Sequence, residues 1–468
     1  LVTDLNFRWR HADWRGLPWA ETVIYELHVG AYGGFDGVTA QLPRLAALGV
    51  TAIELMPIAD FPGRHNWGYD GVLPYAPAAA YGSPEALHTL IDTAHGLGLQ
   101  VFLDVVYNHF GPDGNYLERY AKSFFRADRR TPWGQAIDFR HPEVRDFFIG
   151  NALYWLRDVR FDGLRFDAVH AIGDSPFLLE MAAEIRHALP DRHIHLILEN
   201  EDNDAALLRG GAAAQKYDGQ WADVWHHCAH VLLTGESDGY YADFPDPARQ
   251  MAAFLATGLA GPPPTAIIYL QNHDQIGNRA FGERLRRLAH PAALRAAIAF
   301  LLFTPQIPMI FMGEEFGETR PFLYFTDHHD ELGRQVTAGR RQEFSRFAAF
   351  RAPDRRETIP EANAAATFQA SIPQVTKNDW TALYTDCLRL RRTRLTPLME
   401  GCEPAGAAAL SAHAVRAAWR MNDGSLLTVA TNLAATPTPY DGMEGELLYG
   451  PGLEDGMLPG FTTCLWRA

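Results

Sequence analysis

The chain has 468 residues, 47% of them hydrophobic and 21% charged, a balance that builds globular cores and exceeds what one small domain needs. Its 41 Lys and Arg against 56 Asp and Glu give a net charge of −15, which argues against nucleic acid and anionic membrane surfaces as partners. Cys228, Cys387, Cys402 and Cys464 lack CxxC spacing, and neither a membrane-length apolar run nor a basic-then-apolar leader occurs. A reduced, cytoplasmic protein without disulfides is expected, and the start at Leu1 rather than Met reads as a fragment or a trimmed chain.

Residues 1–22 form an irregular leading segment, with Trp9, Trp14 and Trp19 among charges. Strands are expected at 23–29, 51–56 and 100–106, where short apolar runs end at Gly, Pro or polar residues. Helices are expected between them. One has apolar spacing at Val38, Leu42, Leu45 and Leu48 and stops at Gly49; the other runs from Pro84 to Leu97 behind Ser83 as N-cap. Strand, helix, strand, helix, strand is the beat of a parallel sheet. It breaks over 107–140, a stretch rich in turn residues and aromatics, and a loop that long inside a domain is usually functional.

The beat resumes with a helix at 142–159, a strand at 162–167, a helix at 176–189 and a strand at 193–199. Helical residues at 203–209, a strand near 214–221 and a helix at 223–234 follow. After Pro262-Pro263-Pro264 come a strand at 265–270, helices near 278–288 and 291–302, a strand at 308–312 and a helix at 334–350. About eight strand–helix units over 23–395 predict an α/β fold, a (β/α)₈ barrel with the long loop after strand three. His28-Val29-Gly30-Ala31-Tyr32-Gly33-Gly34 is a poor match to a phosphate loop, which weighs against a doubly wound sheet. From 396 to 468 strands follow one another without helices (414–419, 426–430, 446–449, 462–466), so a C-terminal antiparallel β-sandwich is expected.

In such barrels the chemistry sits at the C-terminal ends of the strands. Asp104 ends strand three, Arg165 and Asp167 end strand four, Glu199 ends strand five, and Asp274 follows strand seven within Gln271-Asn272-His273-Asp274. Alternation along a strand points Arg165 and Asp167 the same way. A guanidinium beside a carboxylate favours the ionised form, which a nucleophile for sugar chemistry needs. A single strand-end acid is as readily a helix cap or salt-bridge partner. Four of them with Arg165, His109 and His273 point to a reaction site. Clustered carboxylates without a metal-ligating His set favour glycoside chemistry over divalent-metal hydrolysis. No calcium-ligand set is visible near Asn108, and no metal or cofactor is expected.

The stretches Asp104-Val105-Val106-Tyr107-Asn108-His109, Gly163-Leu164-Arg165-Phe166-Asp167, Glu199 and Asn272-His273-Asp274 resemble, in order and spacing, the four signature regions of the α-amylase family of glycoside hydrolases. Residues 62–72, 167–172, 239–244, 311–317 and 325–328 resemble one branch of it, the maltooligosyltrehalose trehalohydrolases. Common amylases carry Lys-His where this chain has His170-Ala171, a departure that fits the branch. The resemblance implies an N-terminal β-sandwich ahead of the barrel, not present here, and a longer segment between Phe244 and Thr265.

It also implies roles. Asp167 would attack the anomeric carbon. Glu199 would protonate the leaving oxygen, kept acidic by the field of Asp167, and Asp274 would stabilise the transition state. Arg165 and Asp104 would orient the nucleophile, and His109, His273 and Asn272 would meet sugar hydroxyls. Tyr69 would stack on the scissile sugar, with Trp67, Trp133 and Trp221 as further platforms. His170, Glu201 and Asp204 would face the leaving group. Glu201 competes with Glu199, since period-two counting puts both on one strand face. The expected substrate is maltooligosyltrehalose or another α-glucan, with a maltooligosyltrehalose synthase working alongside. Glucan transfer, as in branching enzymes, and general amylase-like hydrolysis are the alternatives.

Overall fold

A computed structural model describes residues 7–131, 133–201, 206–209, 212–259, 261–442 and 445–468. The barrel strands are β1 (Ile24–Leu27), β2 (Ala52–Leu55), β3 (Gln100–Val105), β4 (Gly163–Phe166), β5 (His195–Leu198), β6 (Gly219–Trp221), β7 (Ala266–Tyr269) and β8 (Ile307–Phe311). Their order closes a barrel in which each strand follows its sequence neighbour and β8 lies next to β1. Every residue of these strands is buried, as expected when helices cover one face and packed side chains the other. The charged exceptions to their apolar composition, Glu26, Glu54, Asp104 and Arg165, are therefore confined to the interior.

Local signals set the helices. Helix Gly34–Leu48 ends where Gly49 takes φ 106° and returns its N–H to the carbonyls of Leu45 and Ala46. Helix Pro84–Gly96 starts behind Ser83, whose hydroxyl accepts the Ala86 N–H at 3.2 Å. The helix predicted over 142–159 is α-helical only from Pro142 to Leu153 and continues as a π turn over Tyr154–Asp158. The stretch 107–140 is not a bare loop. It holds a short helix, Leu117–Tyr120, and a hairpin of Phe125–Thr131 with Gly134–Ile137.

The chain forms two compact units. The first comprises 1–221, 324–339 and 361–372 and carries β1 to β6. The second comprises 222–323, 340–360 and 373–468 and carries β7, β8 and the C-terminal strands. Those strands are β9 (Glu403–Ser411), β10 (Ala414–Arg420), β11 (Leu426–Asn432), β12 (Glu446–Tyr449) and β13 (Thr462–Arg467). They make an antiparallel sheet in the order β9-β10-β11-β13-β12, beside a small pairing of Thr438–Pro439 with Met457–Leu458. Ala430, Tyr440, Leu458, Cys464 and Trp466 form the core on one side. Helix Pro291–Phe303 meets the same sheet: Thr463 Oγ1 donates to the Ala296 carbonyl at 2.7 Å, and the Phe303 and Tyr449 rings lie 4.7 Å apart. Helices Pro247–Thr257 and Asp379–Leu390 complete this unit beyond the predicted elements.

All four cysteines are buried, and none of them forms a disulfide. No helix among the described residues is long and apolar enough to cross a membrane.

Candidate active site

The centre of the first unit's site is one guanidinium. Arg165 on β4 is 1% exposed, and its register partner on β3 is Asp104. Nη1 donates to Asp104 Oδ2 at 2.7 Å and to Asp167 Oδ1 at 2.9 Å, while Nη2 pairs with Glu199 Oε2 at 2.9 Å. The Trp221 ring covers the guanidinium at 4.0 Å. The alternation read from sequence is realised, with Arg165 and Asp167 directed to the same side. Three carboxylates from three consecutive strands thus share one cation that keeps its charge at any working pH.

Each acid has further partners. Asn108 Nδ2 donates to Asp167 Oδ2 at 3.0 Å, so both Asp167 oxygens are held. Tyr69 donates its hydroxyl to Asp104 Oδ2 at 2.6 Å. Burial pushes the Asp104 carboxyl up to about 6, against Arg165 and with the help of Asp167. Burial, then Asp104, lift the Tyr69 phenol well above its usual value, so it remains a donor. Glu199 Oε2 also accepts the Ala168 N–H at 2.8 Å. Ala168 adopts φ 42° and ψ 53°, a left-handed backbone rare for a residue with a Cβ, directly after Asp167. That turn aims the N–H at Glu199.

His109 is buried between acceptors. Its Nε2 faces the Tyr69 carbonyl at 2.9 Å, and its Nδ1 faces Asn108 Oδ1. Burial pushes its pKa down against the pull of Asp167, and a neutral ring donates to one of the two. Trp133, 47% exposed, stacks on His109 with ring centroids 5.5 Å apart, so it presents an aromatic face to solvent. Trp67 and Trp221 do not: they are 4% and 2% exposed, packed under Tyr69 and over Arg165. The platform reading fails for those two because their indoles are core and cover charge.

Glu201 departs from the period-two reading. β5 stops at Leu198, so Glu201 lies beyond the pleat, and its side chain is 84% exposed. It meets His170 instead, with Nε2 3.4 Å from Glu201 Oε2 and Nδ1 accepting the Glu201 N–H at 3.3 Å. Asp204 lies outside the described residues.

In the second unit, Asn272 follows β7 and caps the helix His273–Gly277. Its Oδ1 accepts the Gln275 N–H at 2.8 Å, which commits that oxygen to the fold rather than to a hydroxyl. His273 is buried, and Asp274 accepts from Asn278 Nδ2 at 2.7 Å.

Sequence reasoning gave no site role to Asn108 or to the group around Asp70. Asp70 accepts from Asn66 Nδ2 at 2.7 Å and lies 3.3 Å from His328 Nε2. Burial works to raise its pKa, but the bonds from His328 and Asn66 outweigh it and hold the carboxyl below its usual range. The only sequence signal was that Asn66, Asp70 and His328 fall inside branch-like stretches.

Comparison with known proteins agrees with this layout. The Alpha amylase, catalytic domain family matches residues 10–149, and a domain of unknown function, DUF3459, matches 403–465. The malto-oligosyltrehalose trehalohydrolase of Deinococcus radiodurans is 41% identical over 430 residues, covering 84% of this chain and 69% of that protein. The enzyme of the same name from Arthrobacter ramosus is 38% identical over 430 residues, covering 83% and 73%. A crystal structure from Salmonella typhimurium, described as an alpha amylase, superposes with a TM-score of 0.92 at 38% identity, over all of this chain and 85% of that one. The chain belongs to the malto-oligosyltrehalose trehalohydrolase family, within the alpha amylases.

Proposed function

We propose that this chain is a retaining glycoside hydrolase that cuts the α-1,4 bond beside the terminal trehalose unit of maltooligosyltrehalose and releases trehalose. The supporting observation is the placement of Asp167 and Glu199 at the ends of neighbouring strands, on the two arms of Arg165. Asp167 is the nucleophile, held by Arg165 and Asn108. It displaces the leaving oxygen from the anomeric carbon and forms a glycosyl ester. Glu199 gives that oxygen its proton, then takes one from the water that hydrolyses the ester. Asp274 is the third carboxylate, which stabilises positive charge on the sugar ring.

The loops on the leaving side set what is cut. Here they carry His170 and Glu201 as a pair. A site built to hydrogen-bond the trehalose hydroxyls rejects maltose by leaving buried polar groups unpaired. The expected kcat/KM for maltooligosyltrehalose exceeds that for a maltooligosaccharide of equal length by about a thousandfold or more. Product chromatography of both incubations is the test. Equal values would leave a general α-glucan hydrolase, and branched products a transferase. The substrate has a trehalose end, so a maltooligosyltrehalose synthase must supply it, and we place both reactions in the cytoplasm.

Glu199→Gln is expected to lower kcat by about 10³-fold, since an amide cannot donate the proton, whereas Glu201→Gln acts mainly on KM. Steady-state kinetics on the two variants decides. A reversed order would move the acid role to Glu201.

A further inference from the structure

Beneath the site the barrel interior holds acids that the proposed chemistry does not use. Glu26 on β1 and Glu54 on β2 are register partners. Glu54 is also level with Phe102 on β3, and the next residue on that face is Asp104, which is level with Arg165 on β4. Each of these four charged side chains is at most 2% exposed. Among the described residues, both carboxyl oxygens of Glu54 and Oδ1 of Asp104 are buried without a hydrogen-bond partner. Arg165 spends its arms on Asp104, Asp167 and Glu199.

An isolated carboxylate in such a place costs several kcal/mol, and the group takes a proton instead. Burial, then Glu26, then Asp104 drive Glu54 well above its usual range, and Arg165 alone opposes them among the charges facing it. A protonated carboxyl has an O–H to give, and Asp104 Oδ1 is an acceptor without a donor.

We propose that Glu54 is a positioning residue: an uncharged acid whose O–H serves Asp104 Oδ1, leaving Oδ2 to Tyr69 and Arg165 and thereby aligning Asp167 and Glu199. A donor to the charged form of Asp104 keeps it ionised toward lower pH. The catalytic part of this inference rests on the hydrolase reading above.

The test compares the parent with Glu54→Gln and Glu54→Leu, using maltooligosyltrehalose across pH 4.5–8. Glutamine is an uncharged donor of the same shape. It should keep kcat/KM within about threefold at neutral pH and leave the acid limb of the profile in place. Leucine removes the donor, so Asp104 protonates more readily. The acid limb should move up by about one pH unit and kcat fall about tenfold, with KM changed less. A limb that moves down in both variants would mean that Glu54 is charged in the resting enzyme and that its repulsion had been removed. An unmoved limb in the leucine variant would mean that it does not act on Asp104. Either result overturns the proposal.

Thermal unfolding gives a readout independent of turnover. The folded-state pKa of Glu54 lies above its ordinary 4.5, so the cost of holding the proton is absent below that pH and grows above it. Glutamine carries no such cost. The Tm of Glu54→Gln minus that of the parent should therefore rise with pH, and a flat or falling difference overturns the inference. If the parent releases no trehalose, the function reading fails while the Tm comparison still decides the state of Glu54. If the leucine variant does not fold, the glutamine variant decides alone.

Discussion

Asp167→Ala is expected to lower kcat by at least about 10⁴-fold while Tm stays within a few degrees of the parent. The loss is chemical. Without the carboxylate no glycosyl ester forms, and a water in its place is a weak nucleophile with no base beside it to activate it. The fold is spared because the deletion lightens a like-charged cluster: Arg165 keeps Asp104 and Glu199, and Arg165 and Asn108 each lose one acceptor. The space vacated by the carboxylate admits a small anion. Added azide should therefore restore part of the rate and give a glycosyl azide attached from the nucleophile's side of the ring, opposite to the bond being broken. Turnover near the parent level, or no azide adduct on any substrate the parent cuts, would remove Asp167 from this role.

Arg165→Met is expected to cost both rate and stability. Taking away one member of a buried ion cluster costs about 3–5 kcal/mol, because the charges left behind stay buried. Here three carboxylates would remain under Trp221 with no shared cation. Activity should fall by about 10³-fold or more, since Asp167 and Glu199 lose the group that spaces them. The pH dependence has a defined sign. Asp104 already titrates near 6 with Arg165 present, above its ordinary 3.8. A raised folded-state pKa contributes stability that is present at low pH and lost as pH rises through it. Removing the cation raises that pKa further, so the Tm deficit should be smaller at pH 5 than at pH 8. Lysine should not rescue, because one ammonium cannot reproduce the two-armed grip. Thermal scans at both pH values and turnover of the lysine variant are the checks.

The barrel was legible because its strands are short, apolar and punctuated by Gly and Pro, and the acids that end them break that pattern. Arg165 and Asp167 could be put on one side by alternation alone. The same counting failed at Glu201, since sequence does not show that the pleat ends at Leu198. Trp67 and Trp221 were misread because composition does not say which indole faces solvent. The hairpin in 107–140 was hidden by its chemistry: Phe125–Thr131 is an Arg-rich strand with no buried residue and no apolar face to betray it. β9 was missed because Glu-Pro-Ala-Gly-Ala-Ala-Ala-Leu-Ser has little strand propensity and is held by its pairing with β10. Glu54 reads as an ordinary polar position in Ala-Ile-Glu-Leu. Only the closed barrel with helices around it buries both faces of that strand, and Glu54 is on the one that faces the interior.

Helix Pro291–Phe303 has consequences for how the protein is made. Ten of its thirteen residues are buried. The C-terminal sheet meets it through Thr463 and Tyr449, and its preceding His290 stacks on Phe461 with ring centroids 4.4 Å apart. The residues that cover this helix thus leave the ribosome more than a hundred positions after it. During synthesis the chain carries an uncovered apolar helix through that whole interval, and a product cut short before β13 keeps it exposed for good. The terminal sheet is in this sense a wall of the second unit rather than an appendage, so protein quality control, and not only catalysis, sets how far the reading frame must run.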